Sequence, residues 1–335
     1  MGATNNEVWQ FATVVATRAV AADILRIELE PDQPAKADPG THVDVKVQIG
    51  ETTDKRSYSI VESLDEGKVL AISVQRAPAS RGGSIYMHTL TPGDRIEITQ
   101  PLQNFPLRIG APKYILLAGG IGVTAIAAMA SALRQVGADY HLVYAARSSD
   151  AMAYGAELQK EHGERTTLHL DDEDGLLDLD ALVKEAGGAT ELYMCGPIRL
   201  MDAVRRSWEA AGHSLPNLRY ETFGNSGWFE PEEFEVAIPR LDVNVTVGPG
   251  VSMLEALETA GVDMMFDCRR GECGLCEVRV IDLDGEIDHR DVFYSERQKD
   301  VSAKMCCCVS RVVSRTAGAG STPGGRQPRI TIDVP

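Results

Sequence analysis

The stretch F-D-C-R-R-G-E-C-G-L-C, residues 266–276, decides how the rest of this chain has to fold. Its spacing C-x4-C-x2-C places three thiols on one short loop, and Cys306, Cys307 and Cys308 form a second group further along. We predict that Gly271 and Gly274 take positive φ and turn backbone amides toward the sulfur atoms. The fold therefore has to bring one distant cysteine to a loop that already holds three.

This spacing is that of a plant-type [2Fe–2S] ligand set, in which four thiolates hold two irons. Buried free cysteines and a zinc site are the alternatives. Structural zinc sites favour paired C-x2-C units, and the longer gap between Cys268 and Cys273 fits them poorly. The sequence therefore predicts an iron–sulfur cluster bound by Cys268, Cys273 and Cys276.

The residues leave the fourth ligand open. In a strand, Cys306 and Cys308 would share one face and Cys307 would point away, so Cys307 is the least favoured. The separation from the loop that is usual in plant-type ferredoxins favours Cys306. Cys306 and Cys308 are therefore both candidates at this point.

Composition limits the class of protein. The chain has 335 residues, enough for two or three domains, and 44% hydrophobic and 24% charged residues, as in soluble globular proteins. A net charge of −16 argues against nucleic-acid binding, which needs a basic face. Six of the seven cysteines stand at or after Cys268, which favours metal ligation in a reducing compartment over disulfides. No secretory signal and no membrane-spanning run is recognised, so we expect a cytoplasmic protein.

Residues from about 8 to 106 show six short alternating or β-branched stretches separated by glycine and proline turns. Short strands at this spacing predict an antiparallel β-barrel. The predicted strands are Ala12–Val15, Ile24–Leu29, His42–Val47, Ser57–Ser63, Val69–Val74 and Arg95–Thr99.

Two motifs in this region carry chemistry. R-S-Y-S at residues 56–59 combines a cation, two hydroxyls and an aromatic ring, and strand alternation sends Arg56 and Tyr58 to one face. S-R-G-G-S at residues 80–84 is a glycine-rich turn ahead of a short helix expected near Ser84, and such a turn suits a phosphate. Each motif is weak evidence by itself.

From about residue 112 to 227 the pattern changes to alternating strands and helices. Lys113–Ala118 is largely continuous and apolar, as in a strand buried on both faces, and leads into G-G-I-G-V-T at residues 119–124 and then a helix. Strand, glycine turn and helix predict a dinucleotide-binding unit, although G-G-x-G departs from the G-x-G-x-x-G fingerprint. The other predicted elements are strands His141–Ala146, Thr167–Leu170 and Glu191–Cys195 and helices near 125–136, 151–162, 178–186 and 198–212.

This alternation predicts a parallel sheet that binds ligands at the carboxyl ends of its strands. Y-M-C-G-P at residues 193–197 stands at such an end, where Cys195 is either a cofactor contact or a small buried residue. The acidic run D-D-E-D at residues 171–174 predicts a solvated loop that disfavours a 2′-phosphate and so favours NADH over NADPH, whereas Arg147 favours NADPH.

The last part of the chain predicts a third pattern. Residues 224–233 resemble an interdomain linker, and Phe223 just before them is either a core aromatic or a ring that stacks on a flavin. A loop without core-forming residues is expected at 316–325. The expected regular elements are a hairpin of Phe234–Ile238 and Val243–Val247, a helix at Ser252–Ala260 and strands Glu277–Ile281 and Arg329–Val334.

In chain order the motifs R-S-Y-S, G-G-S, A-G-G-I-G-V-T, Y-M-C-G-P, E-T-F, C-x4-C-x2-C and C-V-S-R resemble the phthalate dioxygenase reductase and vanillate demethylase reductase family. The resemblance covers nearly the whole chain, and D-H-R-D at residues 288–291 also looks like a segment of that family, structural or in contact with a partner. It implies three domains: an FMN-binding antiparallel β-barrel at 1–108, an NAD-binding α/β domain with a parallel sheet at 109–227, and an α+β ferredoxin domain of β-grasp type at 228–335.

The resemblance also implies roles for individual residues. Its C-V-S-R motif favours Cys308 as the fourth cluster ligand beside Cys268, Cys273 and Cys276. Ser59 or Thr124 would hydrogen-bond the N5 or O4 side of the flavin, and Phe223 would stack on it. The other implied contacts are Arg56, Ser57, Tyr58 and Ser59 at FMN, Arg81, Gly82, Gly83 and Ser84 at its phosphate, Gly119, Gly120, Ile121 and Thr124 at the nicotinamide nucleotide, and Cys195, Gly196 and Pro197 near the reactive ring.

The function that the resemblance implies is the reductase of a two-component Rieske-type oxygenase, an enzyme that hydroxylates or O-demethylates an aromatic or similar small molecule. NADH gives two electrons together and a cluster accepts one at a time, so a flavin has to lie between them. One alternative is a reductase with another acceptor, such as a cytochrome or a ferredoxin. Another is a non-enzymatic redox-sensing metal protein, against which the intact R-S-Y-S and A-G-G-I-G-V-T motifs argue.

Overall fold

The computed structural model describes residues 7–77, 80, 82–223, 227–314 and 327–334. The chain forms two compact units. The first runs to Gly196 and includes Ala203–Glu221, and the second consists of Pro197–Asp202 and the residues from Thr222 onward. No helix in the described part of the chain is long and apolar enough to cross a membrane.

The first sheet of the first unit is an antiparallel barrel. Its elements are β1 (Trp9–Ala21), β2 (Ile24–Pro31), β3 (Thr41–Ile49), β4 (Thr52–Leu64), β5 (Val69–Gln75), α1 (Gly83–Met87), β6 (Arg95–Thr99) and β7 (Leu102–Gln103). The strand order β4-β5-β2-β1-β6-β3 closes because β3 also pairs with β4, and β7 adds to β3. The predicted barrel and its six strands are confirmed.

The barrel closes around a core of alternating side chains. In β3 the side chains of Val43, Val45 and Val47 are fully buried, as the two-residue period of a strand requires. Register shifts in β1, between Val14 and Ala16, and in β4, between Ile60 and Glu62, add local twist. This twist lets a sheet of so few strands curl into a closed ring.

The second sheet of the first unit is parallel. The strands of this sheet and the segments between them are β8 (Lys113–Gly119), α2 (Val123–Gln135), β9 (Tyr140–Ala146), α3 (Gly155–His162), β10 (Thr166–Leu170), α4 (Asp171–Asp174), α5 (Leu179–Lys184), β11 (Thr190–Cys195), α6 (Ile198–Ala210) and β12 (Leu218–Glu221). The residues of α6 up to Asp202 belong to the second unit. The order is β10-β9-β8-β11-β12, and every neighbouring pair is parallel, as predicted. Because the chain moves outward from β8 to β10 and then returns to β11, the switch point of the topology lies between β8 and β11.

Two details of this sheet differ from the predictions. Strand β12 was not predicted, because a four-residue, mostly polar strand at the edge of a sheet has no hydrophobic pattern. The acidic run 171–174 was expected to be a loop and instead forms α4, one helical turn whose four residues are all exposed. Acidic side chains are favourable in the first turn of a helix, and Asp174 also accepts the Leu170 amide at 3.2 Å.

The second unit is an α+β fold. Its elements are β13 (Phe234–Ile238), β14 (Val243–Val247), α7 (Met253–Thr259), β15 (Glu277–Asp284), β16 (Glu286–Asp288), α8 (Glu296–Val301), β17 (Lys304–Cys306), β18 (Arg311–Val313) and β19 (Arg329–Asp333). A five-stranded mixed sheet has the order β14-β13-β19-β15-β17, and β16 pairs with β18. The predicted hairpin, helix and two strands are present. The strands β16 to β18 were not predicted because they have three residues each, and α8 was not predicted because its six residues, E-R-Q-K-D-V, are nearly all polar.

The helix α7 begins where the sequence predicts it. The Ser252 hydroxyl accepts the Glu255 amide at 3.2 Å, and the Glu255 carboxylate accepts the Ser252 amide at 2.7 Å, which forms a capping box. Met253, Leu254 and Leu257 are buried in the core of this unit. The predicted loop at 316–325 lies outside the described residues.

Candidate functional site

The strands β8 and β11 end side by side at the switch point of the parallel sheet, where Cys195 pairs with Ala118. A Cβ atom added to Gly122 would lie 2.2 Å from the carbonyl oxygen of Cys195, so only glycine allows the turn after β8 to approach β11 this closely. Gly120 in the same turn has φ +53°. The structure thus brings the predicted 119–124 and 195–196 segments together at the edge where such sheets bind ligands.

The polar groups near this edge are already oriented. The Thr124 hydroxyl is buried and donates to the Ile121 carbonyl at 2.9 Å, so its proton is used inside the turn and only its oxygen lone pairs remain for a ligand. Cys195 is fully buried at the end of β11. The carbonyl of Pro197 accepts the amides of the first turn of α6.

The R-S-Y-S strand and the G-G-S turn of the barrel are also in contact. A Cβ atom on Gly83 would lie 2.9 Å from Cγ and 3.1 Å from Nε of Arg56, so the arginine side chain lies against the backbone of the turn. Gly82 has φ +95°. A guanidinium beside a glycine backbone is a donor set that suits a phosphate. Arg81 lies outside the described residues.

The serines of this turn hold one another in place. The Ser84 hydroxyl donates to the Ser80 hydroxyl at 2.8 Å and accepts the Ala77 amide at 3.2 Å. The Gly82 amide also donates to the Ser80 hydroxyl, at 3.1 Å. This small network fixes the turn before a ligand is bound.

A buried carboxylate lies behind the R-S-Y-S strand, and the sequence analysis missed it. The Ser57 hydroxyl donates to Asp44, and Lys55 Nζ lies 3.0 Å from its second oxygen. Burial by itself would raise the pKa of Asp44, but Ser57, His42 and Lys55 stabilise the carboxylate and hold its pKa below the ordinary value. Burial raises the pKa of Tyr58, so this phenol stays neutral. The sequence feature that could have revealed Asp44 is its position between two valines of β3, where a charged residue is unusual.

The cluster loop is built around the sulfur of Cys268. The backbone amides of Arg270, Glu272 and Cys273 each donate to Cys268 Sγ at 3.4 Å. Burial raises the pKa of this thiol, and the three amides offset part of that effect. Converging amides of this kind are what a thiolate ligand of a metal centre requires.

The predicted conformation of the two loop glycines is confirmed. Gly271 has φ +75° and Gly274 has φ +74°. A Cβ atom on Gly271 would lie 2.6 Å from Val309 Cγ2 and 2.9 Å from Asp291 Cα, and one on Gly274 would lie 2.3 Å from the ring of Phe293. Both positions therefore exclude side chains by conformation and by space.

The distant cysteines meet the loop at Cys276. The strand β17 ends at Cys306 and residues 307–309 form a turn, so the alternation argument used for these cysteines was wrong. All three thiols are buried in the core that also contains Cys276, and the Cys307 amide donates to the Cys276 carbonyl at 3.2 Å. The thiols of Cys306, Cys307 and Cys308 lower the pKa of Cys276. The cluster loop meets this turn at Gly271, which packs against Val309.

This donor set fits a two-iron cluster. No three His, Cys, Asp or Glu side chains among the described residues surround a point that a single metal ion could occupy. A [2Fe–2S] cluster needs no such point, because its four thiolates are divided between two irons. A structural zinc site needs four ligands around one ion and fits the loop less well.

The D-H-R-D segment has a structural role in the second unit. Arg290 and Asp288 form a buried ion pair at 2.6 Å, Asp288 accepts the Trp228 amide at 2.9 Å, and Arg290 donates to the Phe229 carbonyl at 2.9 Å. These bonds fix Trp228 and Phe229, which lie within the predicted 224–233 linker. Asp291, fully buried, accepts the Tyr294 amide at 2.9 Å and packs beneath the cluster loop.

Phe223, the ring predicted to stack on a flavin, is half-buried in the second unit. The amide of the preceding Thr222 donates to Glu272 in the cluster loop at 3.2 Å. This bond ties the segment that carries Phe223 to the cluster loop. Its stacking partner stays a prediction.

Two family models match the chain. Residues 237–313 match a 2Fe-2S iron-sulfur cluster binding domain, and residues 99–217 match the N-terminal domain of dimethylamine monooxygenase subunit DmmA-like proteins. The first match contains all six cysteines of the second unit. The second match includes the whole glycine turn after β8.

Known proteins resemble the chain over nearly its full length. It is 39% identical over 337 residues to tetrachlorobenzoquinone reductase from Sphingobium chlorophenolicum, covering 96% of this chain and 97% of the relative. The crystal structure of phthalate dioxygenase reductase, described as a modular structure for electron transfer from pyridine nucleotides to [2Fe-2S], matches with a TM-score of 0.71 and 28% identity over 97% of this chain and 98% of that one.

A third match is to a longer protein. An intact type IV self-sufficient cytochrome P450 monooxygenase matches 98% of this chain with a TM-score of 0.64 and 30% identity, and this chain spans 41% of its length. The full-length matches and the agreement of barrel, parallel sheet and cluster domain establish the relationship. The chain therefore belongs to the phthalate dioxygenase reductase family of oxidoreductases.

Proposed function

We propose that the chain is the reductase component of a two-component Rieske-type oxygenase, with NADH as electron donor and FMN and a [2Fe–2S] cluster as its cofactors. The observation that carries the proposal is the convergence of three amides on Cys268 in a chain that also has a nucleotide-binding turn. Such a loop serves a redox cluster, and a cluster in such a chain serves a one-electron acceptor. The predicted domains 1–108, 109–227 and 228–335 would hold FMN, NADH and the cluster in that order.

The barrel residues would hold the flavin. Arg56, which lies against the backbone of Gly83, would hold the phosphate together with the Gly82 and Gly83 backbone, and the bond from Ser84 to Ser80 fixes the turn. The Asp44 carboxylate orients the Ser57 hydroxyl. Arg81, Tyr58 and Ser59 complete the proposed FMN contacts. Bound FMN supplies the conversion between an electron pair and single electrons, and the residues supply position and charge.

The turn after β8 would admit the nicotinamide nucleotide. Gly122 lets it approach β11, and the proposed contacts are Gly119, Gly120, Ile121 and Thr124 together with Cys195, Gly196 and Pro197. Four exposed carboxylates of α4 stand at the carboxyl end of β10. They would repel a 2′-phosphate, and this repulsion supports NADH over NADPH.

The cluster ligands in this proposal are Cys268, Cys273, Cys276 and Cys308. Cys308 is preferred to Cys306 because it begins the C-V-S-R motif, and because the residue after it, Val309, packs against Gly271 of the cluster loop. Amides directed at the sulfurs stabilise the negative charge that reduction adds. The residues of this chain thus prepare the site before metal is bound.

The first test is the composition of the purified full-length protein. We expect bound flavin, iron and acid-labile sulfide, and a visible spectrum whose flavin and cluster bands are both bleached by NADH. A colourless protein that contains zinc would support the metal-sensing alternative. A protein with iron and sulfide but no bindable flavin would refute the proposal.

The second test separates the two redox steps. Cys273→Ser should abolish electron delivery to cytochrome c or an oxygenase while NADH still reduces the flavin. The reason is that Cys273 belongs to the cluster loop and contributes nothing to the barrel or the parallel sheet. Loss of flavin reduction in a variant with normal far-UV circular dichroism would contradict the proposed order of electron carriers, from NADH to FMN to the cluster.

A haem acceptor is the second candidate, because a module similar to this chain forms part of a self-sufficient cytochrome P450 monooxygenase. The two candidates differ in the protein that reoxidises the cluster. Stopped-flow mixing of the NADH-reduced protein with a Rieske oxygenase and with a P450 would compare the two rates. Faster reoxidation by the P450 would favour the haem acceptor.

A further inference from the structure

The hydroxyl of Tyr154 makes a buried hydrogen bond that the proposed function does not use. Tyr154 stands at the start of α3, between β9 and β10 of the parallel sheet, and its hydroxyl lies 2.6 Å from the hydroxyl of Ser73 in β5 of the barrel. Both residues are buried. The bond therefore joins the parallel sheet to the barrel inside the first unit.

The barrel side of this bond is held by a charged network. Ser73 pairs with Arg26 in the ladder between β2 and β5. Arg26 is buried, and its guanidinium donates to Glu28 at 2.9 Å and to Glu62 at 2.7 Å. Moving a buried arginine away from its carboxylates would leave charges unpaired, which is costly. The phenol of Tyr154 thus meets a part of the barrel that is fixed in place.

The backbone of Tyr154 is strained. Its φ of +63° and ψ of +5° lie in the left-handed region, which a tyrosine rarely adopts. Such a conformation persists only where the surroundings hold it, and strained residues of this kind concentrate at functional sites. The carbonyl of the same residue accepts the Leu158 amide at 2.9 Å and so begins α3. The strained backbone is thus the one that places the phenol against Ser73.

A second bond ties the same segment, residues 147–154, to the barrel. The Ala22 amide, in the turn between β1 and β2, donates to the Asp150 carbonyl at 2.8 Å. The barrel also contacts α2, where a Cβ atom on Gly40 would lie 2.8 Å from Met129 Cε. That contact is apolar and has no preferred direction, whereas a hydrogen bond fixes an angle as well as a distance.

Both ends of the Tyr154 bond lie beside a strand that carries a proposed cofactor contact. Strand β9 leads into residues 147–154, and its Ala145 pairs with Gly119, where the glycine turn after β8 begins. In the barrel, β5 pairs with β4 through Ile72, the residue before Ser73, and Ile60, the residue after the R-S-Y-S motif. The bond therefore links the neighbour of the proposed nucleotide strand to the neighbour of the proposed flavin strand.

We propose that Tyr154 is a positioning residue for hydride transfer, which fixes the glycine turn relative to the R-S-Y-S strand through its bond to Ser73. The inference rests on the proposed function. In the transfer a C4–H bond of NADH breaks and an N5–H bond of FMN forms, so that the hydrogen and two electrons pass together and give NAD⁺ and the anionic reduced flavin. The two reacting atoms have to approach within about 3–3.5 Å, so a small displacement of one layer against the other slows the step.

Stopped-flow mixing of full-length protein with NADH tests the proposal. Tyr154→Phe removes the hydroxyl and keeps the ring, and Ser73→Ala removes the other end of the bond. In each variant we expect flavin reduction at saturating NADH to be at least about tenfold slower, with the Kd for NADH within about twofold and flavin and iron content unchanged. The double variant should be no slower than the slower single variant, because both changes remove one bond.

Tyr140→Phe is the matched control. The Tyr140 hydroxyl is bonded to the ring of His162 in α3 at 2.7 Å, and the residue is buried at the amino end of β9. This variant therefore loses a buried phenol bond within the parallel sheet and its helix, and none to the barrel. We expect it to reduce flavin at the wild-type rate.

Hydrogen exchange provides a readout that does not depend on turnover. Without NADH, the Ala22 amide should exchange at least about threefold faster in Tyr154→Phe and Ser73→Ala than in the wild-type protein, because its acceptor Asp150 lies in the released segment. Exchange of the Ala22 amide should be unchanged in Tyr140→Phe.

Four results would overturn the inference: equal rates of flavin reduction in Tyr154→Phe and Tyr140→Phe, a raised Kd for NADH with an unchanged limiting rate, additive effects of the two single changes, or unaltered exchange at Ala22. Failure of both Tyr154→Phe and Ser73→Ala to fold would also count against it, because positioning requires a unit that folds without the bond. A wild-type protein whose bound flavin is not reduced by NADH would refute the proposed function as well, whereas normal reduction in every variant would refute this inference alone.

Discussion

Two glycine turns, one in each compact unit, use glycine for different physical reasons. In the turn after β8, Gly122 has an ordinary φ of −60°, but its missing side chain leaves room for the carbonyl of Cys195. In the cluster loop, Gly271 and Gly274 have φ of +75° and +74°. Gly122 is required by the space for a neighbouring strand alone, whereas Gly271 and Gly274 are required by backbone conformation as well as by space.

The difference between the two turns shows what each site requires before its ligand binds. The first turn has to bring two strand ends together at the edge of a sheet. The second has to surround a buried sulfur with N–H groups, and it does so with three amides at 3.4 Å from Cys268. The first requirement concerns distance and the second concerns backbone conformation, so substitutions should separate them.

The largest effect is expected for Gly271→Ala. The new Cβ atom would meet Val309 at 2.6 Å, and left-handed φ costs about 1–2 kcal/mol for alanine, with overpacking adding about 1–3 kcal/mol. We expect loss of most bound iron and a destabilised second unit, measured by iron content and thermal unfolding. Gly261→Ala is the matched control: its φ is +78°, and no described heavy atom beyond its chain neighbours lies within 4 Å of the added Cβ atom. Equal losses of iron and of thermal stability in the two variants would show that steric crowding around the added Cβ atom contributes nothing.

Gly122→Ala should act on the first unit and leave the cluster unchanged. Its Cβ atom would lie 2.2 Å from a backbone oxygen that cannot rotate away, so β11 or the turn has to shift, at about 1–3 kcal/mol. We expect at least about a tenfold weaker apparent affinity for NADH, the equivalent of about 1.4 kcal/mol, with unchanged cluster absorption. Gly188→Ala, at a position with ordinary φ and open surroundings among the described residues, is the control and should leave NADH affinity unaltered.

Gly120→Ala should have a smaller effect on stability. Gly120 has φ +53°, and beyond its chain neighbours no described heavy atom lies within 4 Å of the added Cβ atom. The cost is therefore conformational alone, about 1–2 kcal/mol for alanine and less for asparagine, which tolerates the left-handed region. Denaturant unfolding of Gly120→Ala and Gly120→Asn measures the difference. A larger loss of unfolding free energy in Gly120→Asn than in Gly120→Ala would contradict this explanation.

The smallest expected effect is on the pH dependence of the stability of the first unit. Burial lowers the pKa of His162, whose ring accepts or donates a hydrogen bond with Tyr140 at 2.7 Å. The unfolded chain therefore binds a proton that the folded chain does not, and stability falls as pH drops below the ordinary histidine pKa of about 6.5. The melting temperature of His162→Gln should change less with pH across this range than that of the wild-type protein. If the melting temperature of the variant depends on pH as strongly as that of the wild-type protein, other titrating groups cause the pH dependence of stability.

The sequence predicted most of the fold because its signals are local. Six alternating strands, a buried strand that leads into a glycine turn, and C-x4-C-x2-C are each read within a few residues. Strands β12 and β16 to β18, which have three or four residues each, lacked such a signal. Their positions depend on pairing with distant strands, as β17 does with β15.

The candidate site was predicted less completely. Arg56 and the G-G-S turn were both noticed, but only the folded barrel brings Gly83 against the arginine side chain. Asp44 was missed because its importance comes from facing Ser57 across the hairpin of β3 and β4. A contact of this kind depends on strand register, which a single strand does not contain.

The amino-acid sequence by itself determined the loop spacing of the thiols, the two glycine turns and the order of the three patterns along the chain, because each depends on neighbouring residues. Only the tertiary structure decided how the distant cysteines meet the loop. The end of β17 at Cys306 turns the next residues out of strand geometry, and pairing of β17 with β15 sets that turn against Cys276. Long-range strand pairing positioned these sulfurs, and their spacing along the chain does not encode that position.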